Sequence, residues 1–242
     1  PQTMDTLIFE QALAREALRL AFRHHKTFAT ELKGIQKQRT VSETFDQSAE
    51  LANTLVNMMG LDIIIGSGGV LSHAPRRNQA ALMAIDAFQP EGITLLAVDS
   101  IFMMPHLGVL AQVHKEAALQ VFHRDCLIKL GTCITPVGIA KPDKKILSFE
   151  IKFPDGRTES GDLKFGELLL FPLEVDEQAE VKLKPARGFD VGEGSGKEVV
   201  KKVQGGVVGL IFDGRGRPLQ LPQDNSERIQ KLRQWFTALN AY

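Results

Sequence analysis

Apolar and polar positions follow two different periods along this chain, and the period changes near residue 127. Before that point, helical spacing alternates with short apolar runs, which predicts an α/β layer with a largely parallel sheet. The two runs, Asp62–Ile65 and Ile93–Val98, are predicted to be buried strands. Beyond it, strand-like alternation appears, as in Ile146–Phe153, and Pro154–Gly156 supplies a hairpin turn.

This change of period predicts two domains. Residues 1–127 would form the α/β domain, and residues 128–242 a β-rich domain with a terminal helix. Short strands separated by turns predict a small β-barrel or sandwich for about residues 128–221.

Two helices are predicted in the first part of the chain. The first runs from Asp5 to about Lys26, and one of its faces carries a row of arginines that we expect to be solvated: Arg15, Arg19 and Arg23. The second begins at the capping box Thr40–Glu43 and ends at Gly60, which suits the left-handed position after a helix.

Three further helical regions follow. One spans about Ala74 to Phe88, and another begins at Pro105 with a break near His114. The last begins with the capping residues Asp224–Glu227 and is expected to pack back on the fold, with an open interaction helix as the alternative. Its predicted buried stripe is Ile229, Leu232, Trp235, Phe236 and Leu239.

The composition excludes several classes of protein. The 242 residues are 43% hydrophobic and carry 29 basic and 29 acidic side chains, so nothing points to binding of nucleic acid or a membrane surface. One Trp and one Tyr argue against stacking of single strands. No run reaches the roughly 20 apolar residues that cross a bilayer.

Cys126 and Cys133 lack redox or zinc spacing, which favours a reducing, cytoplasmic location. Because the chain opens Pro1-Gln2-Thr3-Met4, we expect a piece of a longer protein.

A glycine turn follows the first predicted strand, with Gly66, Ser67, Gly68 and Gly69. Glycine has no Cβ, so the backbone here can lie flat against a nucleotide with its N–H groups facing outward. The spacing does not match G-x-G-x-x-G, and glycines also follow strands for packing alone. Asp99 ends the second strand at the same edge and either meets a ligand or caps a helix.

Other motifs do not carry chemistry. Gly192–Lys197 resembles a phosphate loop but has Val191 where the first glycine belongs and Glu198 in place of the magnesium-binding hydroxyl. The histidines lack metal-ligand spacing, and no nucleophile elbow is present. We therefore expect no catalytic residue and no metal ligand in this chain.

Several sequence motifs, in their order along the chain, resemble those of a known family. Ile63–Gly69 and Pro105–Leu110 are similar to the second half of an actin-like ATPase, and more narrowly to the glutamate mutase L family, also called methylaspartate mutase accessory protein. Arg187–Gly194, Gly205–Asp213 and Gly214–Leu219 resemble the C-terminal extension of its longer members. The resemblance covers most of the chain from about residue 40.

This resemblance implies an accessory or reactivating ATPase component for an adenosylcobalamin-dependent mutase. Gly66, Ser67, Gly68 and Gly69 would contact adenosine, and Gly108 would allow close helix packing at a hinge. Because no phosphate-binding hairpin precedes residue 60, ATP with Mg²⁺ would be held only with the N-terminal half of the same protein. Cobalamin would not bind this chain, since the Asp-x-His-x-x-Gly pattern is absent. The expected partners are that N-terminal half and the mutase subunits.

Two other functions stay open. A non-catalytic structural or assembly module without nucleotide function fits the balanced charge and the β-rich part equally well. A dinucleotide enzyme is the third hypothesis, but the acidic residue needed on a second strand is missing, because Asp86 falls inside a predicted helix.

Overall fold

The computed structural model describes residues 1–29 and 55–242 and has two sheets flanked by helices. The helices are α1 (Met4–Phe28), α2 (Gly69–Ser72), α3 (Arg77–Phe88), α4 (Met104–Leu110), α5 (Lys115–Val121) and α6 (Asn225–Ala238), with a 3₁₀ helix at Met58–Gly60 and a π-helix at Phe122–Cys126. The strands are β1 (Ile63–Gly66), β2 (Gly92–Asp99), β3 (Leu127–Thr135), β4 (Lys145–Lys152), β5 (Thr158–Lys164), β6 (Leu168–Phe171), β7 (Gln178–Pro185), β8 (Val199–Gln204) and β9 (Leu210–Asp213).

The first sheet has the strand order β1-β2-β3-β9-β6 and is mixed. Strands β1 and β2 are parallel, as are β3 and β9, whereas β2–β3 and β6–β9 are antiparallel. The α/β class is therefore confirmed, but the prediction of a largely parallel sheet is wrong. The reason is that α4 and α5 bring the chain back to the end of β2, where Asp99 pairs with Leu127. Strand β3 therefore runs antiparallel to β2.

The second sheet is antiparallel, with the order β5-β4-β7-β8. Residues 1–29 and 55–242 contain two open sheets and no closed barrel, because β5 and β8 each pair with one strand only. The two sheets share an apolar core in which the rings of Phe149 and Phe212 lie 4.5 Å apart. Strands on both sides of residue 127 build the first sheet, and the division into two domains at that residue stays a prediction.

Several predicted helices form with changed boundaries. The region Ala74–Phe88 becomes α3, preceded by the separate single turn α2. The break near His114 is observed, because its Nδ1 accepts the Ala117 N–H and caps α5. Gly60 ends a 3₁₀ helix and lacks the left-handed backbone expected of it. The helix predicted from Thr40 lies largely outside the described residues.

The two terminal helices pack on α3 and the first sheet. Trp235 of α6 is buried in the core that also holds Leu82, as is Leu239 directly after the helix, which confirms the prediction for both. The prediction that Ile229 is buried is wrong, because its side chain is exposed. The prediction that Arg15 is solvated is wrong, because its guanidinium forms an ion pair with a carboxylate of α3.

Glycines of the tail allow backbone segments to touch. A Cβ on Gly206 would lie 2.3 Å from the Gly131 nitrogen, and one on Gly131 would lie 1.9 Å from the Gly209 oxygen. The segment is fixed there by N–H groups of Val207 and Val208, which donate to carbonyls of β3. These glycines of Gly205–Asp213 thus serve packing.

Candidate functional site

The glycine turn joins β1 to α2 and leaves its backbone open. A Cβ on Gly68 or Gly69 would have no other atom of residues 1–29 and 55–242 within 4 Å, and Gly68 has a left-handed φ of 104° that disfavours a side chain. Gly66 differs, because a Cβ there would lie 2.8 Å from the Leu71 side chain. Gly66 therefore serves packing, and the accessible part of the turn is Ser67–Gly69.

Two serines connect this turn to the end of β2. The Ser67 hydroxyl lies 3.5 Å from Asp99 Oδ2, at the long limit of a hydrogen bond. The Ser72 hydroxyl donates to the Asp99 carbonyl at 2.5 Å. The structure thus brings together the two sequence features that end neighbouring strands.

Asp99 caps the helix that follows β2. Its carboxylate is buried and accepts the N–H groups of Met103 at 3.1 Å and Met104 at 2.9 Å. Burial alone would raise the pKa of Asp99, yet the N–H groups of Met104, Met103 and Ile101 hold it below its ordinary value. Of the two roles considered for Asp99, the structure supports the helix cap.

An apolar surface lies just beyond this cap. We define the α4 face as the exposed side chains of the loop before α4, of α4 and of the turn after it: Ile101, Phe102, Val109, Leu110 and Val113. Val109 is 73% exposed and Val113 is 88% exposed. A Cβ on Gly108 would meet no atom of the described residues within 4 Å, so they leave this side of α4 uncovered.

The loop Gly192–Lys197 is closed to phosphate. Asp190 Oδ1 accepts the N–H groups of Gly192 at 2.7 Å and Gly194 at 2.9 Å, which are donors that an anion would need. In the part of the chain that the structure describes, no group of three or more His, Cys, Asp or Glu side chains could hold a metal ion.

The structure contains a buried cluster of Asp and Arg side chains that was not predicted from the sequence. Asp213 accepts hydrogen bonds from Arg215 and Arg217, and Arg215 also donates to Asp86, which pairs with Arg15 at 2.9 Å. The segment after β9 had the composition of an exposed turn, Asp-Gly-Arg-Gly. Its charge spacing, with arginines two and four residues after an aspartate that ends a buried strand, was the available signal. The cluster joins α1, α3 and β9 and lies apart from the glycine turn in sequence.

Comparison with known proteins gives one match. Residues 1–126 match the family described as MutL protein, a stretch that contains the glycine turn and α4 and ends before the tail motifs. No curated protein and no solved structure was found to match the chain. Within residues 1–29 and 55–242, no helix is long and apolar enough to span a membrane. Since the matched stretch exceeds half of the chain, the chain belongs to the MutL family, that of glutamate mutase L.

Proposed function

We propose that this chain is part of an accessory or reactivating ATPase component for an adenosylcobalamin-dependent mutase. In this proposal, Ser67, Gly68 and Gly69 contact adenosine, with Gly66 packing the turn behind them. The observation that carries the proposal is the open backbone at the carboxyl end of β1, in a chain of the glutamate mutase L family.

The open backbone suits a flat ligand. Gly68 and Gly69 have no Cβ, and among the described residues no atom lies within 4 Å of that position, so a purine ring can approach the main chain directly. Nucleotide-binding sites of α/β sheets lie beyond the carboxyl ends of strands, which is where this turn is placed. An actin-like fold for the α/β part belongs to the same proposal.

Two surfaces are available for a companion lobe. Strand β1 is the last strand of its sheet among the described residues, and its Ile63 is 39% exposed. Unpaired edges with apolar side chains favour addition of another strand. The α4 face adds apolar area that a soluble protein rarely leaves uncovered. We assign both surfaces to the N-terminal half of the same protein.

The proposal gives the phosphate chemistry to that N-terminal half. Asp99 is occupied by α4, and in residues 1–29 and 55–242 no acidic cluster is placed to hold Mg²⁺. Bound ATP with Mg²⁺ would supply the energy-yielding hydrolysis, for which this chain contributes only the adenosine wall. Cobalamin would stay with the mutase.

We assign the mutase contact to the sheet β5-β4-β7-β8. Its outer face carries charged side chains, several in cross-strand pairs such as Lys152–Glu180 and Lys182–Glu198. Polar surfaces of this kind suit a reversible partner better than a permanent one. The free buried cysteines fit a reducing compartment, and we place the protein in the cytoplasm.

Calorimetric titration with ATP and Mg²⁺ tests the adenosine site. The informative variant is Gly69→Asp, because Gly69 has ordinary φ and open space, so a carboxylate there blocks the ligand without straining the fold. Gly156→Asp in the hairpin between β4 and β5 is the matched control, because it adds the same carboxylate to space that the described residues leave open, away from the glycine turn and the α4 face. In the full-length protein, Gly69→Asp should abolish ATP binding, whereas Gly156→Asp should keep it. Unchanged affinity in Gly69→Asp rejects the assignment.

The alternative is a non-catalytic structural or assembly module without nucleotide function. The observation that favours it is that Asp99, the carboxylate beside the turn, is fully used in capping α4. Titrating the chain alone and then mixed with the N-terminal half separates the two functions. Binding only in the mixture supports the split ATPase, and no binding in either supports the structural module.

A further inference from the structure

Two serines on either side of Gly68 and Gly69 are bonded to one residue. Ser67, which precedes Gly68, reaches the Asp99 carboxylate at 3.5 Å, and Ser72, the last residue of α2, donates to the Asp99 carbonyl at 2.5 Å. The first contact is at the long limit of a hydrogen bond, so the second, which is buried, is the stronger of the two. Movement of the turn therefore reaches the last residue of β2.

Asp99 in turn positions the start of α4. Its carboxylate accepts the N–H groups of Met103 and Met104, and the ion pairs of the described residues include none with Asp99. A buried carboxylate that is stabilised mainly by backbone N–H groups depends on their exact placement. A shift of Asp99 therefore requires the first turn of α4 to shift with it.

The connection between Asp99 and α4 is strained. Phe102 has a left-handed φ of 58°, a conformation that costs a bulky L-residue about 1–2 kcal/mol. The N–H of Ser100 donates to the Cys126 carbonyl at 2.8 Å, which fixes the beginning of this loop. Local preference does not favour this loop shape, so the bonds to Asp99 maintain it.

Helices α4 and α5 are packed on a small core of their own. The fully buried members of this cluster are Leu107, Ala118 and Cys126, whereas the two large cores lie between the sheets and around α3. A unit with few buried contacts moves more readily than the elements of a large core. The α4 face belongs to this unit.

We propose that Asp99 and Ser72 are positioning residues that couple the glycine turn to the α4 face. A nucleotide seated on Gly68 and Gly69 displaces the turn, Ser72 transmits the displacement to Asp99, and α4 with α5 changes its orientation. The surface that α4 offers to the N-terminal half of the protein therefore depends on whether a nucleotide occupies the turn. This inference rests on the proposed function, because it needs a ligand at the turn, and adds the route by which that ligand acts.

Hydrogen exchange at full length tests this route. We compare exchange of residues 104–121 with and without ATP and Mg²⁺ in the natural protein, in Ser72→Ala and in Ser160→Ala, an exposed serine of β5. In the natural protein and in Ser160→Ala, ATP should change exchange in α4 by about fivefold or more, in line with usual coupling energies. In Ser72→Ala the response should disappear, while ATP affinity stays within about threefold.

The outcomes separate the inference from the proposed function. If Ser72→Ala keeps the full response, the coupling uses other contacts and the inference is overturned. If ATP binds the natural protein without any change in α4, the inference is overturned while the adenosine site stands. If ATP does not bind at all, both are rejected.

A second variant covers the case in which Ser72→Ala fails to fold. Asp99→Asn keeps the size of the side chain but leaves only one oxygen to accept the two N–H groups of α4. It should lose the ATP response of α4 as Ser72→Ala does, and a retained response in folded Asp99→Asn overturns the inference.

Discussion

Two glycine-rich segments of this chain are similar in sequence and opposite in structure. In the turn Gly66–Gly69, no atom of the part of the chain that the structure describes lies within 4 Å of where a Cβ on Gly68 or Gly69 would be. In Gly205–Gly209, a Cβ on Gly206 would lie 2.3 Å from the Gly131 nitrogen, inside another strand's backbone. The same residue type therefore leaves the backbone open in one place and allows close packing in the other.

A glycine motif alone does not identify the group that approaches the backbone. A run of glycines beside a strand states that the backbone must be bare, but it does not state what approaches it. In the first segment the approaching group is not among the described residues, and the proposed function assigns it to a nucleotide. In the second it is the chain's own main chain, so a functional interpretation is not needed.

The largest effect is expected in the closed segment. Gly206→Ala places a methyl group 2.3–2.4 Å from backbone atoms of Leu130 and Gly131, and backbone cannot move aside as a side chain can. Because Gly206 has ordinary φ, the cost is steric, and we expect a loss of more than about 4 kcal/mol in unfolding free energy. Urea denaturation followed by circular dichroism measures it. Gly156→Ala in the hairpin, strained but uncrowded, should lose only about 1–2 kcal/mol.

The turn Asp213–Arg217 is a third segment that contains glycines, and ion pairs of the charge cluster close it. Arg215→Met leaves Asp213 buried without its main cation and should cost about 3–5 kcal/mol. Lys182→Met, which breaks the exposed pair with Glu198 at 3.1 Å, should cost less than about 1 kcal/mol. Equal losses in the two variants would show that the buried cluster is not special.

Acid should act through the same cluster. Burial alone would raise the pKa of Asp213, yet Arg215 and Arg217 hold it well below its ordinary value. Its contribution to stability is therefore complete above the unfolded pKa of about 3.9 and is lost as the pH falls further, at up to about 1.4 kcal/mol per pH unit. Urea denaturation at neutral and acidic pH should show this slope in the natural protein and a smaller one in Asp213→Asn.

The smallest effect is expected at the open turn. Gly69→Ala, the match of Gly206→Ala with ordinary φ, adds a methyl group to empty space and should change unfolding free energy by less than about 0.5 kcal/mol. A loss of more than about 2 kcal/mol would mean that the turn is closed like the tail, and the comparison would fail.

Local features were predictable from sequence. The strands β1 and β2, the hairpin at Pro154–Gly156 and the break at His114 follow from periodicity, turn chemistry and capping, which act within a few residues. The helix-cap role of Asp99 was one of two interpretations for the same reason: its partners are four and five residues away.

Long-range features were not predictable. Arg215 and Asp86 are 129 residues apart, so no local pattern links the cation to its carboxylate. The antiparallel entry of β3 depends on the combined path of α4 and α5, which periodicity does not specify. At the candidate site, the glycine turn was predictable from the sequence. The sequence could not distinguish Gly66, which packs on Leu71, from the open Gly68 and Gly69.

The last residues of the chain complete the seat of the first helix. The Tyr242 hydroxyl donates to Gln11, Gln79 donates to the Ala241 carbonyl, and Asn78 donates to that of Leu239. Gln11 and Tyr242 are separated by 231 positions. Since a ribosome delivers residues in order at about 5–20 per second, α1 waits on the order of ten seconds or more for these partners. During that interval α1 can already pack on α3, but it lacks the hydrogen bonds that the end of the chain supplies.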